Sequence, residues 1–204
     1  MGYDVKLSLN ASVLFYDAIK VAMQDFSRMT HLCHYALETQ ALDGDVVELG
    51  CFRGDTAKLL TFITNKQVWL YDSFMGLPEN NESCIQGAMC TAAEDLIANF
   101  KRDGLRQPII VAGWFNQLAS GDLPDRICFA HLDGDLYGST LDALRAVYYK
   151  MVIGGVILID DYEEPYFPGV KKACDEFFAD KKEKPIALQG MNGLQSFKGM
   201  VRKQ

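Results

Sequence analysis

No stretch of the sequence approaches the ~18 consecutive apolar residues that a membrane-spanning helix needs, which excludes that class of membrane protein. CxxC pairs are absent. The six cysteines, at 33, 51, 84, 90, 128 and 174, lie scattered, which fits reduced thiols better than a zinc site or a disulfide framework. Cys51 and Cys128 are expected as core fillers. Positive charge is in short supply: 20 Lys+Arg face 27 Asp+Glu, a net charge of -7, so no broad phosphate-binding face and no nucleic-acid partner are expected. The opening MGYDVKLSLNAS lacks a basic region followed by an apolar segment, and Lys6 stands where a myristoylation signal carries Ser or Thr. No membrane association is expected, and the expected location is the cytoplasm. Repeats, linkers and low-complexity tracts are missing, as is the GxGxxG pattern of a dinucleotide-binding turn, which disfavours NAD.

What is present suits one globular domain over 1–204: hydrophobic residues make up 49% and charged residues 23% of 204 residues. Residues 1–42 read as an N-terminal helical cap or lid, because apolar residues from Val13 to Leu32 recur at helical spacing. Residues 43–204 alternate between apolar β-rich runs and helical stretches. The runs are DVVELG (45–50), QVWLYD (67–72), PIIVAG (108–113), ICFAHLD (127–133), GVILIDD (155–161), KPIALQ (184–189) and LQSFKGMV (194–201). The first five are apolar on both faces, as in strands covered by helices on both sides. A helix is expected from Thr91 to Lys101. The last two runs are too close for a crossover helix and should form an antiparallel hairpin at one edge. The fold class is therefore α/β: a seven-stranded, mostly parallel, Rossmann-like sheet with helices on both faces.

Chemistry concentrates at the ends of the runs. The first βα turn, ELGCFRGDTA from Glu48 to Ala57, places Gly50 and Gly54 between a strand and a helix whose first amides are unpaired. A glutamate leading into GxxxG has the shape of an S-adenosylmethionine loop, although a tight turn without a ligand gives the same spacing. The second run ends in Asp72, where an acid accepts ribose hydroxyls or caps a helix. Trp114 and Phe115 after Gly113 offer an aromatic surface to an adenine, or core. The fourth and fifth runs end in Asp133, Asp135, Asp160 and Asp161, which a parallel sheet brings to one carboxyl edge. Clustered carboxylates repel unless a hard cation neutralises them, most simply Mg²⁺. Adjacent Asp160 and Asp161 point apart if both are in the strand, so one of them could serve the fold. His131 is expected as a satisfied core histidine, His31 and His34 as surface residues of a helix, and Glu163 and Glu164 as a solvated loop.

The segments GDVVELGCFRGDTA, YDSFMGLP, VAGWFNQL, LDGDLYGST, GGVILIDDY and GVKKACDEF, in this order, resemble the macrocin O-methyltransferase family, metal-dependent class I methyltransferases of antibiotic sugars. The resemblance implies S-adenosylmethionine and Mg²⁺ (or Mn²⁺) as cofactors and a small-molecule hydroxyl, in a sugar or other vicinal diol, as acceptor. It implies that Glu48, Gly50, Phe52, Arg53, Gly54 and Thr56 line S-adenosylmethionine. Asp72 and Ser73 would hold its ribose, and Gly113, Trp114 and Phe115 would lie near the adenine, with Asp133 also close to the cofactor. Asp133, Asp160 and Asp161 would ligate the metal, and Asp133 or Asp135 would take the acceptor's proton. Catechol O-methyltransferase, a more distant relative, uses a lysine just after its first acid; here that place reads DGDLYG, without lysine. Gly54-Asp55 stands where the family tends to two glycines. The N-terminal segment and the loop from Pro78 to Met89 are candidate lids, and a homodimer is a candidate assembly. A non-catalytic S-adenosylmethionine-binding module and a catechol-type enzyme are the competing readings.

Overall fold

The computed structural model describes residue 13 and residues 26–79, 84–190 and 195–204. The expected helix around 14–25, the tip of the candidate lid at 80–83 and the turn at 191–194 lie outside the described residues. Strands β1 (Asp45–Leu49), β2 (Val68–Asp72), β3 (Ile109–Ala112), β4 (Ile127–Leu132), β5 (Met151–Ile159), β6 (Ile186–Gln189) and β7 (Gln195–Arg202) form one sheet in the order β3-β2-β1-β4-β5-β7-β6. The first five pair in parallel, and β7 runs antiparallel between β5 and β6. The expected seven strands and edge hairpin are thus present.

Alternation of side chains divides the apolar runs between two cores. Val46, Val68, Leu70, Phe129, Val156 and Leu158 face one side, where Met29, Leu32 and Ala36 of α1 (Phe26–Glu38), Leu60 of α2 (Asp55–Ile63) and Phe100 of α3 (Ala93–Arg102) cover them. Val47, Leu49, Ala130, Leu132, Ile157 and Ile159 face α4 (Tyr137–Val147) and α5 (Pro168–Phe177) on the other. The described part of the expected cap is therefore a core layer: Met29 and Leu32 of α1 are fully buried. Proline at the start of α5 loses no hydrogen bond, because the first amides of a helix have no intrahelical acceptor. No helix among the described residues is long and apolar enough to cross a membrane.

Chain order reverses between β1 and β4, so the loops after these strands diverge and leave a crevice above their carboxyl ends. Strand β5 ends at Ile159, one residue before the two adjacent aspartates.

Candidate active site

The crevice is built on two turns tied together by one carboxylate. Asp72, the last residue of β2, accepts the backbone N–H of Cys51 (3.0 Å) and Phe52 (2.9 Å) on Oδ2 and that of Phe74 (2.8 Å) on Oδ1. Charge-assisted bonds of this kind hold the β1 and β2 turns in one arrangement, although Phe52 (φ 45°) and Phe74 (φ 57°) both adopt the left-handed conformation. Gly50 has φ 91°, and a Cβ there would lie 1.8 Å from the Asp133 carbonyl oxygen. Only glycine lets the ends of β1 and β4 approach so closely.

A cavity of about 390 Å³ lies over these turns, within the usual size range of small-molecule sites. Of the residues singled out in the sequence, Gly50, Phe52, Arg53, Thr56, Asp72 and Ser73 line one side of it. Gly113, Trp114, Phe115, Asp133, Asp135 and Asp161 line the rest. Three do not reach the wall. Gly54 begins α2, and a Cβ there would come within 3.0 Å of Leu96 and 3.3 Å of Phe100, so its small size lets α2 pack on α3. Glu48 is fully buried behind the wall, where its Oε1 accepts the Thr56 hydroxyl (2.5 Å) and faces His131 Nδ1 (2.8 Å). Asp160 turns inward.

Asp160 belongs to a buried polar chain across the middle of the sheet. Glu48 and His131 are directly paired residues of β1 and β4. Lys198 of β7, fully buried, places Nζ 2.9 Å from His131 Nε2 and 2.8 Å from Asp160 Oδ2. His131 thereby bridges Lys198, at Nε2, and Glu48, at Nδ1. His131 is thus buried and satisfied on both nitrogens, as expected. Arg28 of α1 closes the chain from above: its guanidinium contacts Asp160 (3.2 Å), Asp161 (2.9 Å) and Glu164 (3.1 Å). Glu164 is accordingly a largely buried ion-pair partner on the cavity wall, and the expectation of a solvated loop fails there because Arg28 reaches it from another element. His34 is exposed against Tyr35, and neither His31 nor His34 lines the cavity.

Among the described residues, two groups present metal-ligating atoms within 4.8 Å of one another: Asp133, Asp135 and Asp161, and His131, Asp133 and Asp160. In the second group both His131 nitrogens and Asp160 Oδ2 are already engaged. The acids of the first group all line the cavity. The expected set of Asp133, Asp160 and Asp161 is divided between these two groups: Asp160 Oδ2 meets Lys198 at 2.8 Å, and Asp135 (φ 56°) stands with Asp133 and Asp161.

The charges agree with this division. Burial, and then the neighbouring Asp160, Asp135 and Asp161, push the Asp133 carboxyl well above its usual range; burial and Asp161 do the same to Asp135. Asp161 rises to about 6, through burial and the adjacent Asp160. Burial also works on Asp160, but the Lys198 ammonium and the Arg28 guanidinium outweigh it and hold this carboxyl below the usual range. Asp133, Asp135, Asp160, Asp161 and Glu164 thus meet Arg28 and Lys198, leaving negative charge that a further cation would neutralise. A hard divalent ion fits this all-oxygen donor set. Arg28, Lys198, Tyr166 and Phe167 were not singled out in the sequence. Arg28 reads there as the polar face of an amphipathic helix, and only the inward parity of Lys198 with Met200 in β7 hinted at its burial.

A profile of the macrocin-O-methyltransferase (TylF) family matches residues 17–190. The chain is 33% identical over 184 residues to the 8-demethyl-8-(2,3-dimethoxy-alpha-L-rhamnosyl)-tetracenomycin-C 4'-O-methyltransferase of Streptomyces olivaceus, a match spanning 78% of this chain and 70% of that one. Among solved structures, the O-methyltransferase NovP superposes with a TM-score of 0.80 over 97% of this chain and 99% of its own, at 21% identity. An O-methyltransferase from Bacillus cereus in complex with SAH superposes with a TM-score of 0.61 over 100% and 93%, at 17% identity. At these identities the structural likeness concerns the fold, the Rossmann-like fold of class I methyltransferases. The order and spacing of YDSFMGLP, LDGDLYGST and IDDY and the profile match over most of the length agree: the chain belongs to the macrocin-O-methyltransferase family and is an O-methyltransferase.

Proposed function

We propose that the protein transfers the methyl group of S-adenosylmethionine to a hydroxyl of a sugar in a natural product, with Mg²⁺ or Mn²⁺ held by Asp133, Asp135 and Asp161. The observation that carries this reading is the convergence of those three acids, within 4.8 Å of one another, on the same cavity as the turns tied by Asp72. A binding module alone has no use for such a cluster. The fold supports the cofactor, and the rhamnosyl acceptor named for the Streptomyces olivaceus relative supports a sugar.

Each role follows from placement. Asp72 keeps lone pairs beyond its three amide contacts to accept ribose hydroxyls, while Trp114 and Phe115 flank the purine. Thr56, held by Glu48, lies in the first turn of α2 near the amino-acid end. Bound S-adenosylmethionine supplies an electrophilic methyl, and a bound divalent ion supplies positive charge that lowers the pKa of a nearby hydroxyl. Asp135 receives the acceptor's proton on a carboxylate oxygen. Burial and the neighbouring Asp161 raise its carboxyl, and a cation in the site would draw it back down. Lys198 is fully buried and off the cavity wall, so it does not act on the acceptor as a catechol-type lysine would.

The test is methyl transfer from isotopically labelled S-adenosylmethionine to a panel of rhamnosides and other glycosides. Transfer is expected with Mg²⁺, a loss on the order of 10²-fold or more in EDTA or in Asp161→Asn, and recovery in EDTA-treated wild type on adding Mg²⁺. Full activity in chelator would overturn the metal part of the reading.

A further inference from the structure

Arg28 ties α1 to the acid cluster from the cavity side. Its side chain is 12% exposed, and its guanidinium also lies 5.6 Å from the centre of the Phe197 ring. Among the described residues its carboxylate partners include Asp160, Asp161 and Glu164, and of these Asp161 also belongs to the cavity-lining group of Asp133, Asp135 and Asp161. Asp160 is committed to Lys198, and Glu164 stands outside that group.

We propose that Arg28 is a tethered competitor of the divalent ion, so that the guanidinium on Asp161 and an ion on Asp161 exclude one another; this rests on the metal site proposed above. The Asp161 oxygen that meets Nη1 at 2.9 Å cannot give its full charge to a second cation. A guanidinium and a divalent ion a few ångströms apart in a half-buried site also repel strongly. Ion binding therefore swings Nη1 off Asp161, and the contacts to Asp160 and Glu164 hold the side chain nearby. In the ion-free site the guanidinium offsets part of the charge on Asp161, and ion affinity is weakened as the consequence.

Calorimetric titration of Mn²⁺ into the full chain tests this without any turnover. Arg28→Met and Arg28→Gln are expected to bind Mn²⁺ at least about tenfold more tightly than wild type, and Arg28→Lys, which keeps the charge, to stay within about threefold of it. Binding by Arg28→Met that equals or falls below that of wild type would overturn the inference and leave the metal site standing. If neither wild type nor any variant binds millimolar Mn²⁺, the metal site itself fails and this inference with it. Should the variants not fold, the ¹⁵N-correlated guanidinium signal of Arg28 in the wild type decides: it should shift on saturation with Mg²⁺, and an unchanged signal on saturation would overturn the competition.

Discussion

Replacing Lys198 by Met removes the ammonium from the centre of the buried chain while filling its space with an apolar stem. Breaking a buried ion pair by deleting one partner costs about 3–5 kcal/mol, because the other charge stays behind without compensation. Here Asp160 keeps part of its compensation: Arg28 Nη1 remains at 3.2 Å and the Asp161 amide at 3.0 Å. The loss should accordingly fall to about 2–4 kcal/mol, a large share of the ~5–15 kcal/mol stability of an ordinary domain. Urea unfolding at pH 7.5 followed by circular dichroism measures it, with a lower midpoint and an unchanged slope expected. Asp160→Asn in the Lys198→Met background removes the stranded charge, so the double variant should be more stable than Lys198→Met alone. Two outcomes would refute the reasoning: a loss under about 0.5 kcal/mol, or single-variant losses that simply add.

Further consequences follow for pH, the turn and the cofactor. Burial and Asp160 raise the Asp161 carboxyl to about 6 in the folded ion-free protein, above the ordinary 3.8 of the unfolded chain, so between these values the folded chain holds the extra proton and stability falls as pH rises. The thermal midpoint of EDTA-treated protein should drop from pH 5 to pH 7, and saturating Mg²⁺ should flatten that drop; a midpoint that rises through this window would contradict the assignment. Gly50→Ala would drive a methyl into the Asp133 carbonyl, 1.8 Å away, at a left-handed φ, and should cost about 3 kcal/mol or more by urea unfolding. A wild-type midpoint in that variant would show the close approach to be unimportant. Asp72→Ala should weaken S-adenosylhomocysteine binding by about 10–100-fold in calorimetry, through lost ribose contacts and through release of the three amides that shape the turn. Unchanged affinity would remove Asp72 from the cofactor site.

The layered sheet was legible because its strands announce themselves locally. Val, Ile and Leu at both parities, as in VVEL and VILI, can only be buried on two faces, and the few residues around Met191-Asn192-Gly193 leave room for a hairpin alone. The start of β5 was missed, since Gly154 and Gly155 mask a strand that begins at Met151. At the site, residues on the strand ends could be found because topology carries them to one edge. What sequence distance hides is which charge meets which: Lys198 reaches Asp160 through the antiparallel insertion of β7, and Arg28 arrives from a helix 132 residues earlier. Those two pairings decide that Asp160 faces inward and Asp161 outward, a choice that neighbouring identical residues cannot reveal. Glu48 and Gly54 show the same limit, for a residue type that suits a ligand also suits a buried hydrogen bond or a close helix contact.

The central claim is that one cavity holds S-adenosylmethionine beside a divalent ion on Asp133, Asp135 and Asp161. Crystals of the full chain grown with S-adenosylhomocysteine and Mn²⁺, with diffraction recorded at the manganese absorption edge, test it directly. One strong anomalous peak is expected in contact with oxygens of Asp133, Asp135 and Asp161, with the ribose hydroxyls on Asp72 and Arg28 no longer on Asp161. A saturating Mn²⁺ concentration that left no peak among these three carboxylates, or a nucleoside bound away from Asp72, would contradict it.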